Sequence, residues 1–121
     1  MTDRLVYLIG LEVAPSARPS FEEGSRRILA DSKAMGRDFQ FDVYRDPMRP
    51  EVLQIIECHP DSTAAFEHFR IFGAAIRMVW ETATVTHVEV LGNPAPQLRE
   101  ALLPFGATIK PFWFGTSGTS A

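Results

Sequence analysis

Residues Phe39 to Cys58 read FQFDVYRDPMRPEVLQIIEC, and the fold turns on this stretch. From Phe39 to Arg45 the residues alternate, Phe39, Phe41 and Val43 against Gln40, Asp42 and Tyr44, which is a strand with one greasy face. Asp46-Pro47-Met48-Arg49-Pro50 is turn chemistry, since proline restricts φ and an aspartate side chain can bond its own backbone. Val52 to Cys58, rich in branched aliphatics, then forms the second arm of a hairpin with a loop of about five residues. An antiparallel pair in mid-chain is the element around which the rest is ordered.

Upstream, Leu5 to Val13 (LVYLIGLEV) is a strand apolar on both faces, and therefore covered on both. Ser20 with Glu23 three residues later makes a capping box, and Phe21, Ile28, Leu29 and Met35 follow near helical spacing until Gly36 closes the helix. Downstream, Asp61 or Ser62 caps a helix running to about Thr82. One stripe of it carries Phe66, Phe69, Gly73, Ile76 and Trp80, and a second carries Ala65, His68, Phe72 and Val79. Val85 to Leu91 is a fourth strand, stopped by Gly92-Asn93-Pro94.

The order β-α-β-β-α-β predicts an α+β, ferredoxin-like fold: a four-stranded antiparallel sheet with two helices on one face. Strand parity leaves the other face to Val6, Leu8, Gly10, Glu12, Gln40, Asp42, Tyr44, Gln54, Ile56, Cys58, His87 and Glu89. This mixture of apolar and polar groups suits a lumen between two subunits, so a homodimer is expected. Residues 1–94 make up the domain. Residues 95–121 are an extension, with a short helix from Pro96 to Leu103 and an aromatic tail, ATIKPFWFG, that packs on the same domain or on the partner subunit. GTSGTSA at the end is expected to be disordered.

A chain of 121 residues has room for one hydrophobic core. Its formal charge of −3, with ten arginines scattered from Arg4 to Arg99, lacks the basic stripe that nucleic acid requires. No apolar run approaches the ~20 residues of a membrane span, and the opening MTDRLVYLIGLEV lacks a signal-like cleavage site, so a cytoplasmic protein is expected. Cys58 is the single cysteine, which excludes an intramolecular disulfide. His59, His68 and His87 have no metal-ligand spacing, and no glycine-rich cradle for a nucleotide is present, so neither metal nor cofactor is signalled.

Gly36, Phe41, Arg45-Asp46, Glu57 and Ala65-Phe66 followed by His68 together resemble the antibiotic biosynthesis monooxygenase domain, over roughly residues 5 to 94. The resemblance implies a dimeric α/β barrel, two sheets packed about a twofold axis, and a range of activities that includes cofactor-free oxygenation of polyphenols, isomerisation and haem breakdown. Departures accompany the matches. Gly73 stands where many members carry a second helical histidine, Ile71 where they carry a serine, and the first strand lacks their asparagine. The haem-degrading and quinone-forming branches lose support accordingly.

His68 is the leading candidate for catalysis. On the helix face toward the sheet its imidazole can take a proton from a phenol or a carbon acid, or it is a half-buried histidine bonded at a helix start. His87 and Tyr44, with Asp42 and Glu89 nearby, form a second set expected in the lumen, as catalytic groups or as a polar network. Phe72 is the best pocket wall, and Phe41 and Trp80 are wall or core. His59, beside Pro60, reads as a turn residue. The function expected is a cofactor-independent, monooxygenase-like enzyme acting on a small aromatic or polyketide-like substrate through base-assisted deprotonation. An isomerase or cyclase, or a non-catalytic dimeric binding protein for a hydrophobic metabolite, is the alternative.

Overall fold

A computed structural model describes residues 3–37 and 39–116. The chain runs β1 (Leu5–Val13), α1 (Arg18–Ala34), β2 (Gln40–Arg45), β3 (Val52–His59), α2 (Ser62–Trp80), β4 (Ala83–Leu91), α3 (Pro96–Leu102) and β5 (Thr108–Lys110). This is the expected α+β, ferredoxin-like order with additions at the C-terminal end. The strands form one sheet in the order β2-β3-β1-β4-β5.

β1, apolar but for Glu12 near its end, is the central strand, flanked by β3 and β4 in antiparallel register. Leu5, Tyr7, Ile9, Leu11 and Val13 all turn toward the helices and are buried. The hairpin forms as its sequence dictates. Phe41 pairs with Glu57 and Tyr44 with Gln54, and Asp46 Oδ1 accepts the backbone N–H groups of Met48 at 2.8 Å and Arg49 at 3.2 Å, closing the turn.

Two starts differ from the capping pattern. Helix α1 begins at Arg18, two residues before Ser20, because Pro15–Ala17 already winds as a 3₁₀ turn and Pro19 lies within the first two helical positions. Ser20 therefore sits inside the helix and caps nothing. Its far end follows expectation: Gly36 has φ +70°, its N–H bonds Lys33 O, and the Arg37 N–H bonds Ser32 O, a glycine-closed helix end. At α2 the Asp61 carboxylate accepts the Ala64 N–H at 2.8 Å, while Ser62 Oγ accepts the Ala95 N–H and ties the start of α2 to the approach of α3.

Among the described residues the sheet has five strands rather than four, and it is mixed. Thr108–Lys110 lies parallel to β4, with Glu89 opposite Thr108 and Leu91 opposite Lys110. A parallel neighbour needs a crossover, and α3 supplies it. Leu98 and Leu102 of α3 are buried in the core. Three residues are too short a strand to show periodicity, which is why this one is invisible in the sequence. Further on, Trp113 and Phe114 are 87% and 74% exposed and touch each other edge-on, so packing on their own domain does not occur. The disorder expected for GTSGTSA falls mostly outside the described residues.

Candidate functional site

The inner face of β3 carries Ile55, Glu57 and His59, all buried. Two polar residues at period two on a core face require partners within the protein, and they find each other: His59 Nε2 lies 2.6 Å from Glu57 Oε2. Tyr7 of β1 stands opposite Glu57 in the ladder, and its ring is 5.4 Å from that of His59. Phe39, just before β2, stacks on His59 at 5.4 Å and 3°.

Onto this floor α2 lowers His68 and Phe72, one turn apart on its most buried stripe. The His68 ring lies 4.4 Å from Phe39, 5.2 Å from His59 and 5.1 Å from Phe72. His68 is 5% exposed, and its Nδ1 is buried without a hydrogen-bond partner. Burial pushes its pKa below the ordinary imidazole value. The Glu57 carboxylate opposes that shift, and His59 and Arg37 reinforce it. Burial likewise raises the Tyr7 phenol, with Glu57 adding to the effect, so Tyr7 stays protonated.

Among the described residues, the two larger spaces bordering His68 are an inner cavity and an outer cleft. The inner cavity of about 60 Å³ lies under α2, walled by Phe69, Trp80 and Phe105 over Tyr7 and Glu57. Phe105 meets both Phe69 and Trp80 edge-on. The outer cleft of about 250 Å³ opens between the end of α1 and the start of α2, lined by Arg37, Phe39, His59, Pro60, Ala64 and His68 among others. A buried imidazole with a free nitrogen, between an apolar cavity and an open cleft, can exchange a proton with a bound molecule. Among the described residues no three histidine, cysteine or carboxylate side chains gather as a metal site.

The sequence-derived candidates fall into two groups. His68, Phe72, Phe41 and Trp80 lie on the helix side of the sheet, and Phe41 and Trp80 share a small void with Glu57 and His68. Tyr44, His87, Asp42 and Glu89 lie on the opposite face, so His68 and the other two catalytic candidates are not one constellation. Tyr44 and His87 do share a row, through Gln54 and Gly10, but three strand spacings, about 14 Å, separate them. Asp42 bonds Gln40 Nε2 at 2.7 Å. Glu89 is engaged by Lys110 of β5 at 2.7 Å and stands 3.5 Å from His87. The Lys110 hydrogen bond holds the Glu89 carboxyl below its usual range, with burial opposing.

Glu57 and His59 are the site residues that the sequence reading passed over, His59 being taken for a turn. The signal was present. The parity that puts Gln54, Ile56 and Cys58 outside puts Ile55, Glu57 and His59 inside, where polar groups call for an explanation.

In sequence, no family model matches the chain and no curated protein matches it. In structure it is similar to MupZ from Pseudomonas fluorescens, with a TM-score of 0.80 at 11% identity over 99% of this chain and 98% of that one. It is also similar to a Caulobacter crescentus protein provisionally assigned as an antibiotic biosynthesis monooxygenase, with a TM-score of 0.63 at 19% identity over 74% and 88%. The fold is that of the antibiotic biosynthesis monooxygenase-like proteins. A Nitrosomonas europaea protein with the same provisional assignment matches with a TM-score of 0.55 at 15% identity, over 79% of this chain and 95% of its own. The MupZ alignment spans nearly the whole chain and so takes in α3 and β5. At these identities the likeness is one of backbone, and the chemistry rests on the chain's own side chains.

Proposed function

We propose that this chain is a cofactor-independent, monooxygenase-like enzyme in which His68 takes a proton from a small aromatic or polyketide-like substrate. The observation that carries the reading is the buried, unpartnered Nδ1 of His68 at the junction of the inner cavity and the outer cleft. A histidine kept neutral by burial is ready to accept a proton at neutral pH. Phe39 at the outer cleft and Phe69 and Trp80 at the inner cavity offer flat apolar walls against which a ring system packs, whereas Phe72, expected from the sequence to be the best wall, lines neither space and is buried against the His68 ring. Glu57 bonded to His59 forms the polar floor beside it.

In the proposed step the acidic C–H or O–H proton moves to His68 Nδ1, leaving a delocalised carbanion or phenolate. Dioxygen is the oxidant. It accepts electrons from that anion, bonds to the carbon and is protonated to a hydroperoxide, which loses water to leave a ketone or quinone. Two copies of the chain are proposed to pair through the uncovered sheet face, where Leu8 and Ile56 lie between Asp42 and Glu89 in the row next to that of Tyr44 and His87, with Val6 one row beyond.

The test is dioxygen uptake with a panel of anthrone-like and hydroxylated polycyclic substrates, comparing wild type with His68→Ala. Uptake with quinone formation is expected, falling about a hundredfold to ten-thousandfold in the variant, the range for loss of a general base. Turnover without dioxygen uptake would make the site that of an isomerase or cyclase. Binding without turnover would make the chain a binding protein and end the enzyme reading.

A further inference from the structure

Arg37 is the formally charged side chain among the described residues that line the outer cleft. Its Nε is buried and has no hydrogen-bond partner among the described residues, although the side chain as a whole is 28% exposed. Among the described residues, Glu67 is the carboxylate paired with it, its Oε2 3.8 Å from the Nη2 end. That carboxylate is already committed to Arg70, whose Nη2 it accepts at 2.8 Å. The backbone of Arg37 is anchored as well, because its N–H bonds Ser32 O in the glycine-closed end of α1. Arg37 thus belongs to the wall of a 250 Å³ cleft with its buried Nε–H unspent, and the second unpartnered buried nitrogen of the region, His68 Nδ1, belongs to a residue lining the same cleft.

A buried donor without an acceptor is destabilising, and the acceptor best matched to a planar guanidinium fork is a carboxylate. We infer that the ligand of this cleft carries a carboxylate, which Arg37 receives through its Nε–H edge while the body of the ligand lies against Phe39 and His68. This deepens the proposed function and rests on its reading of the His68 region as the ligand site. The substrate class becomes an aromatic or polyketide-like carboxylic acid. Arg37 fixes its orientation, and the acidic hydrogen is presented to the imidazole at the inner end.

The inference is tested by binding, without turnover. 2-Naphthoate and its neutral analogue 2-naphthamide are titrated calorimetrically into wild type, Arg37→Gln and Arg37→Lys. Wild type is expected to bind the carboxylate about tenfold more tightly than the amide. Arg37→Gln is expected to abolish that preference while keeping its affinity for the amide, and Arg37→Lys to restore part of it as a point charge. Equal affinities in wild type, a preference that persists in Arg37→Gln, or binding of neither probe would each overturn the inference. A carboxylate preference lost in Arg37→Gln, together with no dioxygen uptake in any assay, would leave the subsite standing and remove the oxygenase.

Discussion

Glu57 and His59 meet at 2.6 Å where both are almost wholly excluded from water, so each depends on the other for its hydrogen bond. Removing one partner strands the other, which costs about 1–3 kcal/mol for a neutral group and more for a charged one. His59→Ala is therefore expected to lower stability to urea unfolding by about 3 kcal/mol, once the lost stacking on Phe39 is added. Glu57→Gln, which keeps an acceptor of the same shape, should cost clearly less. Equal losses in the two variants would show that packing alone matters there. His68 supplies a pH dependence. Its folded pKa lies below the ordinary 6.5, so between the two values the unfolded chain binds more protons than the folded one. Its contribution is thus unfavourable in acid and vanishes as pH rises through that window. Stability should climb from below pH 6.5 to a plateau above it, and His68→Gln should flatten the climb in urea titrations run at several pH values. A steeper slope in the variant would contradict the assigned direction. At this scale the sequence marked His68 and Phe72 on one helical stripe, while Glu57 and His59 were passed over, although strand parity already puts both on the inner face, because His59 beside Pro60 reads as a turn residue.

Helices α1 and α2 touch at Gly24, where an added Cβ would come within 2.6 Å of Val79 Cγ2. Two effects compete in Gly24→Ala. Helix propensity favours alanine by about 1 kcal/mol, and overpacking against Val79 opposes it by about 1–3 kcal/mol. The substitution is expected to destabilise in the wild-type background and to stabilise in a Val79→Ala background, a change of sign that thermal melts of the four proteins would reveal. Gly10 follows the same logic in the sheet. The register of β1 and β4 shifts between Gly10 and Leu11, and a Cβ on Gly10 would approach Thr86 Oγ1 to 2.7 Å. Gly10→Ala is expected to cost about 1–3 kcal/mol, with part recovered by Thr86→Ala. Close approach of this kind cannot be read from spacing, whereas alternation announced the hairpin and a capping aspartate with apolar stripes announced α2. The start of α1 was misread because Pro15 and Pro19 pre-wind the chain before Ser20 is reached.

Among the described residues, the exposed apolar surface includes the uncovered sheet face, where Tyr44 is 54% exposed, and the tail pair Trp113 and Phe114. Burial of the sheet face in a homodimer predicts a light-scattering mass of twice 13.5 kDa. Leu8→Asp, in the middle of that face on the central strand, should return it to the monomer mass while leaving far-UV circular dichroism intact. A wild-type monomer would remove the lumen and with it any joint role for Tyr44 and His87. What the sequence determined by itself was periodic: which segments are strands or helices, which face of each is apolar, and from these the ferredoxin-like order. Local alternation follows from bond geometry and needs no knowledge of neighbours. The tertiary structure alone decided that Thr108–Lys110 joins β4 as a fifth strand, that the sheet divides His68 from Tyr44 and His87, and that Glu57, His59 and His68 converge beside Arg37. Those outcomes depend on long-range register and on the partners that buried polar groups find, and neither is encoded in the spacing of residues along the chain.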